Sequence, residues 1–205
     1  ATYPIGIEEM SIRVQRDPVC IDVTDQEAPA QIQQSWCRVT HDDRNCAILR
    51  ALFRWGGRLN IVFCNTKIDC AQVAKILQRE NVAAIAMHGD LDQSERVRAL
   101  VRFSNQSATV LVATDVAARG LDINDVDAVF NYELPKQPEV YVHRIGRTGR
   151  AGKKGIAISL VTARENVRLR SIQEILPDGE FGQVDVPLEQ DEHTALVPMM
   201  TTIEL

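Results

Sequence analysis

Three arginines, Arg144, Arg147 and Arg150, stand at strict three-residue spacing in the stretch HRIGRTGR at 143–150. A planar guanidinium fork is the side chain best matched to carboxylate or phosphate oxygens, and on a helix this spacing would place neighbouring forks on one side. Gly146 and Gly149 are interleaved where a stable helix prefers other residues. The surrounding chain is acidic, with a net charge of −5 over 205 residues, so it is not built as a general polyanion binder. Charge is unevenly spread. Residues 143–154 carry five Arg or Lys and no acid, whereas 178–192 carry six Asp or Glu and no base.

Three further stretches hold polar residues at the ends of apolar runs. VFCNT at 62–66 leads a strand into an Asn-Thr turn, a ready anion site at a helix start. HGDLDQSER at 88–96 is a glycine turn followed by Gln93 and Arg96, three apart on one helix face. ATDVAARGLDI at 113–123 carries Thr114 and Asp115 out of a buried strand, with Arg119 and Gly120 before Asp122.

The elements that must position these residues are legible from Gln31 onward. Strands are expected at 32–39, 60–64, 82–87, 109–114, 126–132 and 155–161. Thr66 with Asp69 resembles a capping box opening a helix to Arg79, whose stripe is Ile68, Val73, Ile76 and Leu77. Asp92 with Glu95 repeats the device ahead of Val97, Leu100, Val101 and Phe103. Pro138 opens a helix expected to run through Arg147, and Ala163–Ile175 reads as another. Alternating strand and helix with near-continuous apolar strands predicts a three-layer α/β/α domain on a mostly parallel sheet. Function in such sheets collects at the carboxyl ends of the strands, where the polar stretches fall.

An apolar fraction of 45% is enough for a sizeable core, and the length suits one ordinary domain with extensions or two very small ones. The cysteines Cys20, Cys37, Cys46, Cys64 and Cys70 are odd in number and form no CxxC pair. That argues against a disulfide framework or zinc site and for reduced thiols, hence a cytoplasmic setting. No apolar run approaches the ~18 residues that span a bilayer.

At these four stretches the chain resembles the second RecA-like domain of DEAD-box ATP-dependent RNA helicases, over roughly residues 25–176. The four correspond to the family motifs numbered IV, V and VI and the QxxR element between IV and V. The resemblance implies that Arg144 and Arg147 are catalytic arginine fingers for ATP hydrolysis, with Asp122 accepting from the nucleotide ribose or simply capping a turn. It implies RNA-backbone contacts from Asn65, Thr66, Gly89, Asp90 and Thr114, groups suited to reading phosphate and ribose without base identity. Arg96 contacts RNA, locks motif VI or faces solvent. Phe63 is core or packs against a motif VI arginine. Gln93, Arg119, His143 and Arg150 are expected as interdomain or supporting residues. His88 and His143 are not expected as metal ligands, and no metal site is expected in this domain.

No G-x-x-x-x-G-K-[ST] occurs, nor any strand-borne acidic motif for Mg²⁺. ATP with Mg²⁺ is therefore expected to be held mainly by the N-terminal RecA-like domain, and this chain alone is expected to be inactive. Residues 1–24, opening on ATYP, read as the end of that first domain, 25–30 as the linker, 31–176 as the C-terminal domain and 177–198 as an acidic linker. The final MMTTIEL at 199–205 fits the first strand of an RRM-like domain. The leftover domain-one strand offers an edge for self-association. Asp191-Glu192-His193-Thr194 looks like the acidic metal motif but follows motif VI, and reads as linker. The sequences VQRDP, VFCNTK-x-DC, HGDLDQ and PEVYVHRIGRT resemble the bacterial DbpA-type branch, which implies ribosomal RNA as partner and a role in large-subunit assembly. Two other readings share the motifs: a superfamily-two DNA helicase domain, and a non-catalytic RNA or protein interaction module.

Overall fold

The computed structural model describes residues 13–14, 31–119, 121, 123, 125–150, 152–177 and 180–186. Arg13 and Val14 are helical. The rest of the expected first-domain remnant, the linker and its self-pairing edge lie outside the described residues. So do the 191–194 motif, MMTTIEL, Gly120 and Asp122.

Seven strands form one sheet: β1 (Gln31–Arg38), β2 (Asn60–Cys64), β3 (Ala84–Met87), β4 (Val110–Thr114), β5 (Ala128–Asn131), β6 (Lys154–Val161) and β7 (Phe181–Gln183). Their order is β3-β4-β2-β5-β6-β1-β7, and every pairing is parallel. Parallel strands need crossovers. The helices supplying or flanking them are α1 (Arg44–Trp55), α2 (Lys67–Arg79), α3 (Gln93–Ser104), α4 (Asp115–Ala118), α5 (Pro138–Ile145) and α6 (Asn166–Ile175).

Strand alternation divides the core between the two faces. On one face, Val62, Cys64, Val112, Phe130 and Leu160 meet Ala47, Ile48 and Ala51 of α1 and Cys70, Val73 and Leu77 of α2. The other face carries two clusters. Ile61, Phe63, Leu111 and Val129 pack under α3 and α4, while Trp36, Ala157 and Val161 pack under α5 and α6. The seam between those two clusters is polar. Asn131 and Ser159 are fully buried there and joined by an Nδ2–Oγ hydrogen bond of 3.1 Å.

The caps behave largely as the sequence implies. Asp92 and Glu95 form both bonds of a capping box, while Thr66 accepts from the Asp69 amide at 3.1 Å as a simple N-cap. The expected helix at 163–175 begins as a 3-10 turn over Ala163–Glu165 before α6.

Two expectations are corrected. Helix α5 ends at Ile145 rather than Arg147, because Gly146 caps it and the next amides make tighter bonds, Arg147 N–H to Arg144 O and Thr148 N–H to Ile145 O. The linker expected from residue 177 is not all linker. Phe181–Gln183 pair with β1, Phe181 and Val186 are buried, and the Phe181 ring lies 5.3 Å from Tyr141. The sheet domain therefore continues at least to Val186.

Candidate functional site: an arginine anchored in a polar seam

Arg144, on the inner side of α5, is 1% exposed and lies in the polar seam. Its Nε and Nη2 donate to both oxygens of Asp115 at 2.6 and 2.8 Å, a bidentate pair. Nη1 donates to Asn131 Oδ1 at 3.0 Å and to the Glu133 carbonyl at 2.8 Å. Nη2 also donates to Asn65 Oδ1 at 2.8 Å. The guanidinium carbon stands 5.1 Å from the centre of the Phe63 ring. The three arginines thus do not share one helix side: Arg144 is inside, and Arg147 and Arg150 lie beyond the end of α5. Arg144 was expected as a finger facing another domain; here its donors are taken up within the domain.

Arg147 is half-buried, and Arg150 is exposed with its Nε donating to Gly146 O at 2.8 Å. The turn that carries them is pinned from both sides. Thr148, fully buried, donates to Asp127 O at 3.0 Å and bridges Val126 in parallel fashion. Gly149 has a φ of +72° and lies against Gly155, where an added Cβ would stand 2.5 Å from the Gly149 nitrogen. Only a glycine fits such a contact.

The remaining expected residues divide into two groups. Asn65 turns inward: its Nδ2 donates to Leu134 O at 2.9 Å, its Oδ1 receives Arg144, and its N–H donates to Glu133 Oε2 at 3.1 Å. Expected to contact RNA, Asn65 has its side chain bonded within the seam. Phe63 is 2% exposed, with the Arg144 guanidinium over its ring. Arg96 reaches motif V rather than motif VI, donating from Nη2 to Ala117 O at 3.3 Å, with its Nε buried and unbonded.

The other group gathers at the carboxyl ends of β2, β4 and β3, which are adjacent in that order. Thr66 and Gly89 are exposed, with open space around Gly89. Lys67, after β2, pairs with Asp90, after β3, at 2.9 Å across the end of β4, where Thr114 is buried but for 8%. Gln93 is exposed in the first turn of α3, Arg119 at the end of α4, and His143 on α5. Nδ1 of His88 is buried without a partner. Among the described residues no three His, Cys, Asp or Glu are gathered so as to hold a metal ion. Beside the seam, burial first and then Cys70, Glu133 and Asp69 push the Cys64 thiol well up, against the opposing pull of Arg144.

The family model for the helicase conserved C-terminal domain matches residues 44–152. A solved chain of the Escherichia coli DEAD-box protein SrmB, bound to the regulator RraA, superposes with a TM-score of 0.69 at 36% identity. That alignment covers 75% of this chain and 91% of the other. The chain belongs to the DEAD-box helicase C-terminal domain family. Among curated relatives, the ATP-dependent RNA helicase DbpA of Escherichia coli is 46% identical over 176 residues, 86% of this chain. The chain spans 38% of that protein's length. The Saccharomyces cerevisiae Dbp5 variant solved with RNA and ADP BeF3 gives a TM-score of 0.75 at 29% identity, over 91% of this chain and 50% of that one.

For this helicase domain, sequence spacing missed the residues that hold Arg144. Asp115 stands inside ATDVAARG and its place after a buried strand was a usable signal. Asn131 and Glu133 carried none, since they meet Arg144 only where α5 folds back over the end of β5.

Proposed function

We propose that this chain is the half of an ATP-dependent RNA helicase that brings arginines to ATP held by an N-terminal RecA-like domain, and that it forms half of an RNA-backbone surface. The observation that carries this is the division of labour in HRIGRTGR. Arg144 is consumed inside the domain, while Arg147 and Arg150 follow on a turn pinned by Thr148 and the Gly149–Gly155 contact. The finger role accordingly goes to Arg147, with Arg150 beside it, and Arg144 becomes their anchor. A preorganised guanidinium aimed at developing phosphoryl charge is worth roughly 10³- to 10⁵-fold in rate. ATP with Mg²⁺ would be held chiefly by the other domain, with Asp122 of this chain toward the ribose.

RNA would lie over Thr66, Gly89, Asp90 and Thr114, where exposed backbone and small polar groups suit a backbone reader. The resemblance to DbpA supports ribosomal RNA as the target, a cytoplasmic setting and a role in large-subunit assembly. No helix among the described residues is long and apolar enough to cross a membrane.

The test is RNA-stimulated ATP hydrolysis by the chain joined to its N-terminal RecA-like domain. Arg147→Ala is expected to lower kcat by roughly 10³-fold or more, with RNA affinity little changed. Undiminished hydrolysis in that variant overturns the finger assignment.

A further inference from the structure

The anchor of Arg144 is itself anchored from the opposite face of the sheet. Glu133 and Leu134, just after β5, hold four of the contacts that shape the seam. The Glu133 carbonyl receives Arg144, and its carboxylate receives the Asn65 amide. The Leu134 carbonyl receives Asn65 Nδ2, and its amide donates to Glu165 Oε1 at 3.0 Å. Behind this dipeptide lies Arg44, the first residue of α1, 4% exposed. Its Nη1 is 3.6 Å from Glu133 Oε1, and its Nη2 pairs with Glu165 Oε2. Its guanidinium also stacks 5.3 Å from the Tyr132 ring, whose hydroxyl donates to Asn45 at 2.9 Å. Glu165 is fixed in turn by the amide and hydroxyl of Thr162, at 3.0 and 2.8 Å.

We infer that Arg44 and Glu133 are positioning residues for the hydrolysis arginines, acting through Asn65 and Arg144. This rests on the function proposed above. The physical reason is the shape of the chain of contacts. The main chain at Glu133–Leu134 lies beyond β5, which ends at Asn131, so its path is set by its bonds to Asn65, Arg144 and Glu165. Arg44 attracts two carboxylates at once, and buried charges hold a unique geometry only while every partner is in place. One of those carboxylates orients Asn65, and the same residue's carbonyl orients Arg144. With Arg44 removed, Glu133 and Glu165 lose the cation between them and repel. The carbonyl and carboxamide that shape the Arg144 pocket then lose their fixed positions. Arg144 keeps Asp115, yet the turn bearing Arg147 and Arg150 is no longer set by a rigid base.

The test combines two readouts. In the 205-residue chain labelled with ¹⁵N-arginine, the Arg144 Nε–H resonance, assigned by its loss in Arg144→Lys, is followed for solvent exchange. In the two-domain protein, kcat and KM for ATP are measured with saturating RNA. Arg44→Met is expected to cost Arg144 Nε–H at least ~10-fold in exchange protection while the sheet amides stay protected. It should also lower kcat roughly 10- to 100-fold with KM for ATP unchanged, the signature of misplaced rather than absent groups. Arg44→Lys, which keeps the charge but not the fork, should recover part of both losses. A protected Arg144 Nε–H in folded Arg44→Met overturns the inference, as does a kcat equal to wild type. If Arg44→Met does not fold, Glu133→Gln decides by the same readouts, since it keeps an acceptor for Asn65 and removes only the attraction to Arg44. Should Arg147→Ala prove without effect on hydrolysis, the finger reading falls, while the exchange of Arg144 still settles whether Arg44 positions it.

Discussion

Replacing Arg144 by Met separates a buried anchor from a solvent-facing finger, because only the anchor predicts a large loss of stability. Methionine has similar length and can lie on Phe63, so the change removes mainly charge and hydrogen bonds. Lost are the bidentate pair to Asp115 at 2.6 and 2.8 Å and the bonds to Asn131, Glu133 O and Asn65 at 3.0, 2.8 and 2.8 Å. Breaking a buried pair from one side costs about 3–5 kcal/mol. The Asp115 side chain is 25% exposed, so its carboxylate regains some water, which pulls that cost toward the lower end. Opposing this, each acceptor left dry in the seam adds about 1–3 kcal/mol unless water enters. The net expectation is a loss of about 3–5 kcal/mol, a large part of the 5–15 kcal/mol typical of a domain. In urea, with m of about 2 kcal/mol/M, the midpoint should fall by about 1.5–2.5 M. Arg150→Met is the control: this arginine is exposed, and its loss should cost under about 1 kcal/mol. Equal midpoints for the two variants would refute the anchor and restore Arg144 to the surface.

Gly155→Ala should lower stability by about 1–3 kcal/mol, since the new Cβ meets the Gly149 nitrogen at 2.5 Å and Thr148 Oγ1 at 2.6 Å. Gly182→Ala, with nothing within 4 Å, is the melting control and should be close to neutral. Burial pushes the thiols of Cys70 and Cys37 up from 9.0 to about 11 and about 12, and the Tyr132 phenol from 10.0 to about 12. The unfolded chain gives up these protons first, so their contribution to stability should be fully present below pH 9 and be lost between pH 9 and 12, as urea midpoints across that range will show. Iodoacetamide at pH 8 followed by peptide mass mapping should accordingly modify exposed Cys46 well before Cys37, Cys64 and Cys70. Modification of all four at one rate would contradict that burial.

The parallel sheet was legible because four consecutive apolar residues, as at 61–64 and 110–113, suit strands covered on both faces. Helix starts were legible where the bonding is local, as in the Asp92–Glu95 box. What was not legible is long-range. Strand β7 has three residues and gains its place from β1, through Gln34 and Phe181, far apart in the chain. The inward turn of Arg144 depends on Asp115, which opens α4 after β4, and on Asn131 of β5 meeting it. Spacing alone made the three arginines equivalent. Nothing in the sequence pattern singled out Arg44, and only the fold brings Glu165 to it.

The anchor also explains how two surfaces of such a domain can be coupled without a moving part. Thr114 and Asp115 are consecutive at the end of β4. The first lies among the groups proposed to meet RNA, and the second clamps Arg144. Asn65 repeats the arrangement at the end of β2, since it precedes Thr66 and also holds Arg144. On the proposed function, RNA pressing on Thr66 and Thr114 therefore acts on residues adjoining the two that fix the motif VI arginine. The coupling needs only that both loops stiffen together, and a saturated, bidentate guanidinium between them is the means: it transmits strain because none of its bonds is slack. On that same proposal, an exposed arginine at this position would leave the two proposed surfaces independent.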